Sequence, residues 1–460
     1  MNRRNFLALT PAVASFAQTR PSLTELYRDS ASRLIGAALT DEGGWTKMQY
    51  LCDRIGHRLA GSRGLERAVE WAAAEMKRDG LSNVVTPPVK VPHWVRGQES
   101  LTMTAPLESP VVMLGLGGSV ATPVEGITAE VICVSSFEEL EAAGEAKVRG
   151  RIVLYDAPWQ GYGRTVAYRS QGAVRAAKLG AVAALVRSVT PVSLRSPHTG
   201  MMSYAEDTPK IPTAAVSVED AQRMHRLIDS GVAVTLRLRM EAKTLPDADS
   251  ANVIGEIVGR EKPEEIVVMG GHSDSWDVGQ GAQDDASGCI AAWQGILLAK
   301  QLGLRPRRTL RVCLWVNEEN GLRGGEAYRQ WAGATVKNHV AAVEMDGGAE
   351  RPAGFGLSIQ GASADVLARA MERMKEIGML LKGIGAGEMT AGGGGADIGP
   401  IMRDGVPGIG HRSSGQRYFE WHHTDADTLD KIDKQDFRLN TAAMAVLGFV
   451  LADMPERLAD

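Results

Sequence analysis

At 460 residues, 44% hydrophobic and 23% charged, the chain has enough apolar material for two packed units, which excludes global disorder. A formal net charge of -4, with no run of basic residues, argues against nucleic acid or an anionic membrane surface as partner. Four cysteines, Cys52, Cys133, Cys289 and Cys313, imply no disulfide framework, and beyond the N-terminus no segment approaches the ~18 uninterrupted apolar residues of a membrane span.

Residues 1–20 read as an export signal. Arg3-Arg4 followed by Phe6-Leu7 and an apolar run to Ala17 are twin-arginine-like, which predicts a periplasmic or secreted location. The alternative is an amphipathic first helix, interrupted by Pro11. From Leu23 to Gly80 apolar residues recur at three- and four-residue spacing, predicting helices that stop at Asp79-Gly80. Residues 119–244 change texture to short apolar runs such as Arg151–Tyr155 and Ala181–Val186, alternating with helix-like stretches at Gln171–Leu179 and Val218–Ile228. They read as an inserted α/β subdomain. The polar segment Lys243–Ser250, with Pro246, reads as the return to a main domain made of 21–118 and 245–460. Three apolar strands follow, Glu265–Met269, Leu310–Val316 and Val340–Val343, with a helix over Cys289–Leu302. That alternation predicts an α/β fold with a mostly parallel mixed sheet, covered by helices on both faces, and ligands at the carboxyl ends of its strands.

The chemistry-bearing residues stand at those ends. The first strand runs into Gly271-His272-Ser273-Asp274, and Asp284-Asp285-Ala286-Ser287-Gly288 lies shortly after. The second ends in Glu318-Glu319, the third in Glu344-Met345-Asp346, and a late segment adds His422-His423-Thr424. So many converging carboxylates would repel one another and resist ionisation unless divalent cations removed the penalty. Two imidazoles with three carboxylates suit zinc better than calcium or magnesium. Two such ions against Asp284, Glu319 and Asp346 leave a local positive charge that favours bound hydroxide. Glu318 is then free for proton work, and Asp274 can hold the second nitrogen of His272.

The pattern His272-x-Asp274, Asp284-x-x-Ser287-Gly288, Glu318-Glu319, Asp346 and His423-Thr424 resembles the co-catalytic zinc exopeptidases of family M28. The resemblance covers nearly the whole chain and is closest to a carboxypeptidase branch. The segments Asp274–Ala282, Tyr168–Val174, Arg187–Pro191, Ser196–Gly200 and Gly392–Ile398 carry it, and the insert resembles a protease-associated domain. It implies a zinc-exopeptidase-like fold with two Zn2+ and a homodimer. Asp284 would bridge the metals, with His272 and Asp346 completing one site and Glu319 and His423 the other. Glu318 would be the base, with a cis peptide at Asp284-Asp285. Some relatives place an oxyanion-donating tyrosine near the late histidine; here His422 stands directly before His423, a candidate for that contact or for supporting a ligand.

The reaction so implied is hydrolysis of a terminal peptide bond in a dipeptide or short peptide by di-zinc-bound hydroxide, in the aminopeptidase, carboxypeptidase or dipeptidase sense. The alternatives are glutaminyl-cyclase-like acyl transfer and a non-catalytic peptide-binding domain on the same fold. A purely structural ion-pair network is disfavoured because few basic residues interleave the acids. Gly392–Gly395 could cradle an anion or simply wall the cleft. His57, His93, His198, His225, His339 and His411 read as structural singletons, with His411 and Arg412 as candidate cleft neighbours.

Overall fold

The computed structural model describes residues 21–460; the twin-arginine-like segment lies outside the described residues. An eight-stranded mixed sheet forms the frame, in the order Ser82–Val85, Val253–Ile257, Arg308–Trp315, Lys262–His272, His339–Glu344, Gly408–Ser413, Pro352–Ser358 and Glu388–Ala391. Lys262–His272 runs parallel to both its neighbours. The pairings Val253–Ile257 with Arg308–Trp315, and Pro352–Ser358 with Gly408–Ser413, are antiparallel.

Every residue of Arg308–Trp315 is buried, and so is every one from Glu265 to His272. Strands buried on both faces need no polar alternation, which is why these segments read as continuous apolar runs. On one face, helices Ser287–Gln301 and Lys434–Asp453 pack against each other and, with Leu23–Thr40, fill the larger core. Ser287–Gln301 is buried from Ser287 to Ala299, apolar on all sides as an enclosed helix must be. Leu23–Thr40 starts with a capping box in which Ser22 and Glu25 satisfy each other's backbone N–H groups. On the other face Tyr328, Ile401 and Met402 cover Val268, Cys313 and Ala342. All four cysteines are free.

The insert has its own eight-stranded sheet, with helices Phe137–Val148, Tyr162–Lys178 and Val218–Asp229. This sheet reaches back beyond residue 119: Glu99–Ala105 pairs antiparallel with Thr235–Met240, so the chain enters and leaves side by side. Lys243–Ala251 is a strand paired with Pro88–Val95, its side chains mostly exposed and its register broken between Leu245 and Ala248, beside Pro246. A two-stranded ribbon with little buried surface offers no alternating apolar pattern to read, and proline is tolerated where the ladder is irregular. No helix among the described residues is long and apolar enough to cross a membrane.

Candidate active site

Three adjacent strands deliver their side chains to one edge of the frame. Lys262–His272 ends on His272, Arg308–Trp315 is followed by the turn that carries Glu318 and Glu319, and His339–Glu344 leads into Asp346. Asp284 comes from the irregular turn Ala282–Ala286 that opens helix Ser287–Gln301, with a cis peptide between Asp284 and Asp285. His423 follows the short helix Tyr418–Trp421 in a left-handed backbone conformation, φ 62°.

The five residues meet around Asp284. Its Oδ1 lies 3.2 Å from His272 Nε2, and its Oδ2 lies 3.2 Å from His423 Nε2. Asp346 Oδ1 is 3.4 Å from His272 Nε2, and Glu319 Oε2 is 3.0 Å from His423 Nε2. Each imidazole turns its other nitrogen to a main-chain carbonyl: His272 Nδ1 to Asp274 O at 3.1 Å, His423 Nδ1 to Thr199 O at 3.2 Å. A carbonyl only accepts, so both Nδ1 atoms carry hydrogen and both Nε2 lone pairs face carboxylate oxygens. Two lone pairs so opposed need a cation between them, either a proton or a metal. Ligand atoms on one tetrahedral zinc, at ~2.0–2.1 Å from it, stand about 3.3 Å apart. The four separations match that edge, and the donor set suits zinc.

The surroundings hold these side chains from behind. Asp274 reaches His272 through its carbonyl, while its carboxylate accepts the N–H groups of Glu318 and Glu319 at 3.1 and 3.3 Å. Asp285 turns away from the centre and accepts from His272 N and Gly288 N. Gly288 is required there, because a Cβ would stand 1.9 Å from Met345 O. Asp427 accepts from the N–H groups of Gln283 and Asp284. Arg58, fully buried, donates to the carbonyls of Gly56, Ser273, Gln280 and Gly281, fixing the loop between His272 and Asp284.

Without a cation the electrostatics are frustrated. Burial, with the negative Asp284 beside it, pushes Glu319 up to about 7. Burial, Asp346 and Glu319 hold Glu318 well above the usual carboxylate range. Against the burial that opposes their charge, neighbouring carboxylates hold His272 and His423 well above the usual imidazole value. Asp284 is held well below its ordinary value, its hydrogen bonds to the two histidines outweighing burial.

The centre opens into a cleft of about 550 Å³ lined by Asp284, Glu318, Glu319, Asp346, His422 and His423 together with residues that sequence reasoning left aside. Tyr418 and Phe419 form one wall; Tyr162 and Arg169, from the insert, form another. His422 stacks on His423, ring centroids 3.5 Å apart, with its Nε2 3.6 Å from Asp284 Oδ2. Burial, with His423 adjacent, keeps it well below its ordinary value and therefore neutral. His198 is no distant singleton: it is buried behind the two histidines and pushed down to about 3, chiefly by burial. Its signal was the segment Ser196–Gly200. His411 packs edge-on against Phe355 and Arg412 pairs with Glu388, so neither reaches the cleft. Three of the four glycines pack tightly: a Cβ would stand 2.1 Å from Gly356 O at Gly393, 2.8 Å from Met402 at Gly394 and 2.1 Å from the carboxyl carbon of Glu344 at Gly395, while Gly392 faces open space. Close approach accounts for glycine at those three positions.

A buried cluster of imidazoles and carboxylates at the carboxyl edge of a mixed α/β sheet, open to a cleft of this size, is suited to hold divalent metal ions beside a small substrate. Residues 252–448 match peptidase family M28 and residues 120–224 match the PA domain. The chain is 42% identical to carboxypeptidase Q of Bos taurus over 97% of its own length and 94% of that protein's. It superposes on an M28 peptidase precursor from Shewanella amazonensis with a TM-score of 0.89 and 32% identity, over 94% of this chain and 98% of that one. A zinc aminopeptidase from Bacillus subtilis shares the fold, with a TM-score of 0.65 and 19% identity over 91% and 96% of the two chains. The chain belongs to peptidase family M28, a metallo-exopeptidase family, and is a peptidase with a protease-associated insert.

Proposed function

We propose that this chain is a two-zinc exopeptidase that hydrolyses the terminal peptide bond of dipeptides or short peptides. The observation that carries the reading is Asp284, whose two oxygens each face Nε2 of a different histidine at 3.2 Å. His272, Asp284 and Asp346 would hold one ion; Asp284, Glu319 and His423 the other. Ions held there would supply Lewis acidity, lowering the pKa of a water and polarising the scissile carbonyl. Glu318, outside both ligand sets but lining the cleft, takes the proton from the attacking water and returns it to the leaving amine. Tyr418, whose phenol burial and the nearby acids keep protonated, and the neutral His422 supply hydrogen-bond donors for the carbonyl oxygen as it gains charge.

Glu318→Gln keeps the shape of the side chain and removes its basicity. The expected result is a loss of at least about 1,000-fold in kcat, the upper range of general-base effects, with two zinc ions per chain retained by elemental analysis. Near-wild-type turnover of a dipeptide by that variant would refute the assignment. Product mass separates hydrolysis, which adds water, from cyclisation, which releases ammonia. The same reading takes the chain as exported through the Arg3-Arg4 segment and as a homodimer; a monomer by light scattering would remove the second point.

A further inference from the structure

The insert gathers a second set of metal-binding side chains away from the cleft. Cys133 lies near the end of strand Ile127–Val134, Asp156 directly follows Ile152–Tyr155, and Arg187 closes Ala183–Arg187. The three strands are neighbours and run parallel, so these residues share one carboxyl edge of the insert's sheet, where α/β folds place their ligands. His225, which reads from the sequence as a structural singleton, meets them from helix Val218–Asp229. Its Nδ1 lies 2.8 Å from Asp156 Oδ2, and its Nε2 lies 3.7 Å from Oδ1 of Asp229, one turn on. One ligand atom from each of Cys133, Asp156 and His225 lies within 4.8 Å of the other two. The Asp156 side chain is 10% exposed and that of His225 27%, so the cluster is screened from bulk water yet open to an entering ion.

We propose that Cys133, Asp156 and His225 form a metal site of the insert, distinct from the cleft, that takes one transition-metal ion with zinc as its best match. Sulfur, imidazole nitrogen and carboxylate oxygen together suit zinc, whereas calcium and magnesium take oxygen ligands. A tetrahedral zinc keeps such donors roughly 3.3–3.6 Å apart, so small side-chain rotations close the set. Binding through Nδ1 leaves the Nε2–H of His225 facing Asp229, the kind of carboxylate that orients a ligand imidazole from behind. Arg187 engages the other oxygen of Asp156: its Nε lies 3.6 Å from Oδ1 while its Nη1 donates to Ala157 O at 2.9 Å, which leaves Oδ2 for the ion. The charges also close. A dication and Arg187 balance the Cys133 thiolate, Asp156 and Asp229, with the thiol proton passing to solvent as the ion binds. A plain ion pair accounts for Asp156 and His225, but gives the thiol within reach of both no role.

Cobalt(II) is the probe, because a cobalt–thiolate bond gives a near-ultraviolet charge-transfer band and none of the residues proposed to hold metal in the cleft carries sulfur. Metal-free protein is titrated with Co2+ in thiol-free buffer. Wild type is expected to develop the band to saturation at one thiolate-bound ion per chain, and to hold one more zinc per chain than Cys133→Ser by elemental analysis. Cys133→Ser should lack the band. His225→Gln, which leaves the thiol in place, should need at least about 10-fold more cobalt to reach it. Wild type without the band, a band that survives Cys133→Ser, or an unshifted titration in His225→Gln overturns the proposal and leaves the cluster an ion pair beside a partly buried thiol. The band reports on the insert whether or not the cleft holds zinc, so this proposal and the two-zinc reading fail separately.

Discussion

Replacing Arg58 by methionine should loosen the metal centre from a position that touches none of its ligands. The side chain is fully buried and its guanidinium donates to four carbonyls at 2.7–3.0 Å, three of them in the loop from Ser273 to Gly281 that separates His272 from Asp284. Methionine fills much of the volume and donates nothing. With partial rescue by entering water, each orphaned carbonyl costs about 1 kcal/mol, so the loss is about 4 kcal/mol. An unfolding entropy of ~2.1 cal/mol/K per residue over roughly 440 residues gives ~0.9 kcal/mol/K, and hence a fall in Tm of about 4 °C. Because the same loop orients His272 and Asp284, zinc affinity should fall between about 10- and 100-fold, as for other groups that orient ligands. Calorimetric melting of the zinc-free protein and a chelator competition titration measure the two effects separately. A Tm within about 1 °C of wild type with unchanged zinc affinity would show that the loop holds its shape without Arg58.

Two further outcomes follow from the same geometry. In zinc-free protein burial lifts Glu319, Glu344 and Asp427 to about 7 each, whereas unfolded carboxylates titrate near ~4. Between those values the folded chain holds protons that the unfolded chain has released, so the contribution is complete below about pH 4 and is lost as pH rises through 7. Metal-free protein should therefore melt lower at pH 7.5 than at pH 5, and zinc-loaded protein should show the reverse, since ligands bind metal deprotonated. Parallel slopes in the two titrations would refute the linkage. Asp274→Asn replaces one acceptor for the Glu318 and Glu319 N–H groups with a donor. Zinc affinity is expected to fall about 10- to 100-fold, and full zinc retention against a competing chelator would count against Asp274 as a brace for that turn.

The residues proposed as ligands were legible because each is local to a strand end or a turn. His272, Glu319 and Asp346 directly follow apolar runs, so period and residue type suffice to place them on one edge. What escaped was set by docking between segments far apart in sequence. Arg169 sits on an amphipathic helix whose buried face is otherwise mostly alanine, glycine and threonine, and a lone arginine there reads as surface charge. His198 and Thr199 lie in a segment without regular structure whose role depends on meeting His423, 224 residues later for Thr199. The ribbon strand Lys243–Ala251 was unreadable for the opposite reason: it buries too little to leave a pattern.

The insert and the frame share one site rather than meeting as lid and base. Thr199 N donates to His423 O at 3.0 Å while His423 Nδ1 donates back to Thr199 O, so a residue of the insert fixes the tautomer of a proposed ligand. Arg96, on the connection from the ribbon into the insert, forks onto Asp277 at 2.8 and 2.6 Å, within the loop that Arg58 braces. Trp276 of that loop packs against the His423 ring and lies so near Gly117 of the insert that a Cβ there would stand 2.0 Å from the indole. Backbone pairing, a two-point ion pair and a ring packed against bare glycine are stiff contacts, and each runs between insert and frame within reach of His423 or Asp284. Hydrogen-bonding geometry at Nδ1 governs which imidazole nitrogen is free for a cation, so the insert acts on the proposed metal centre as well as on the shape of the cleft.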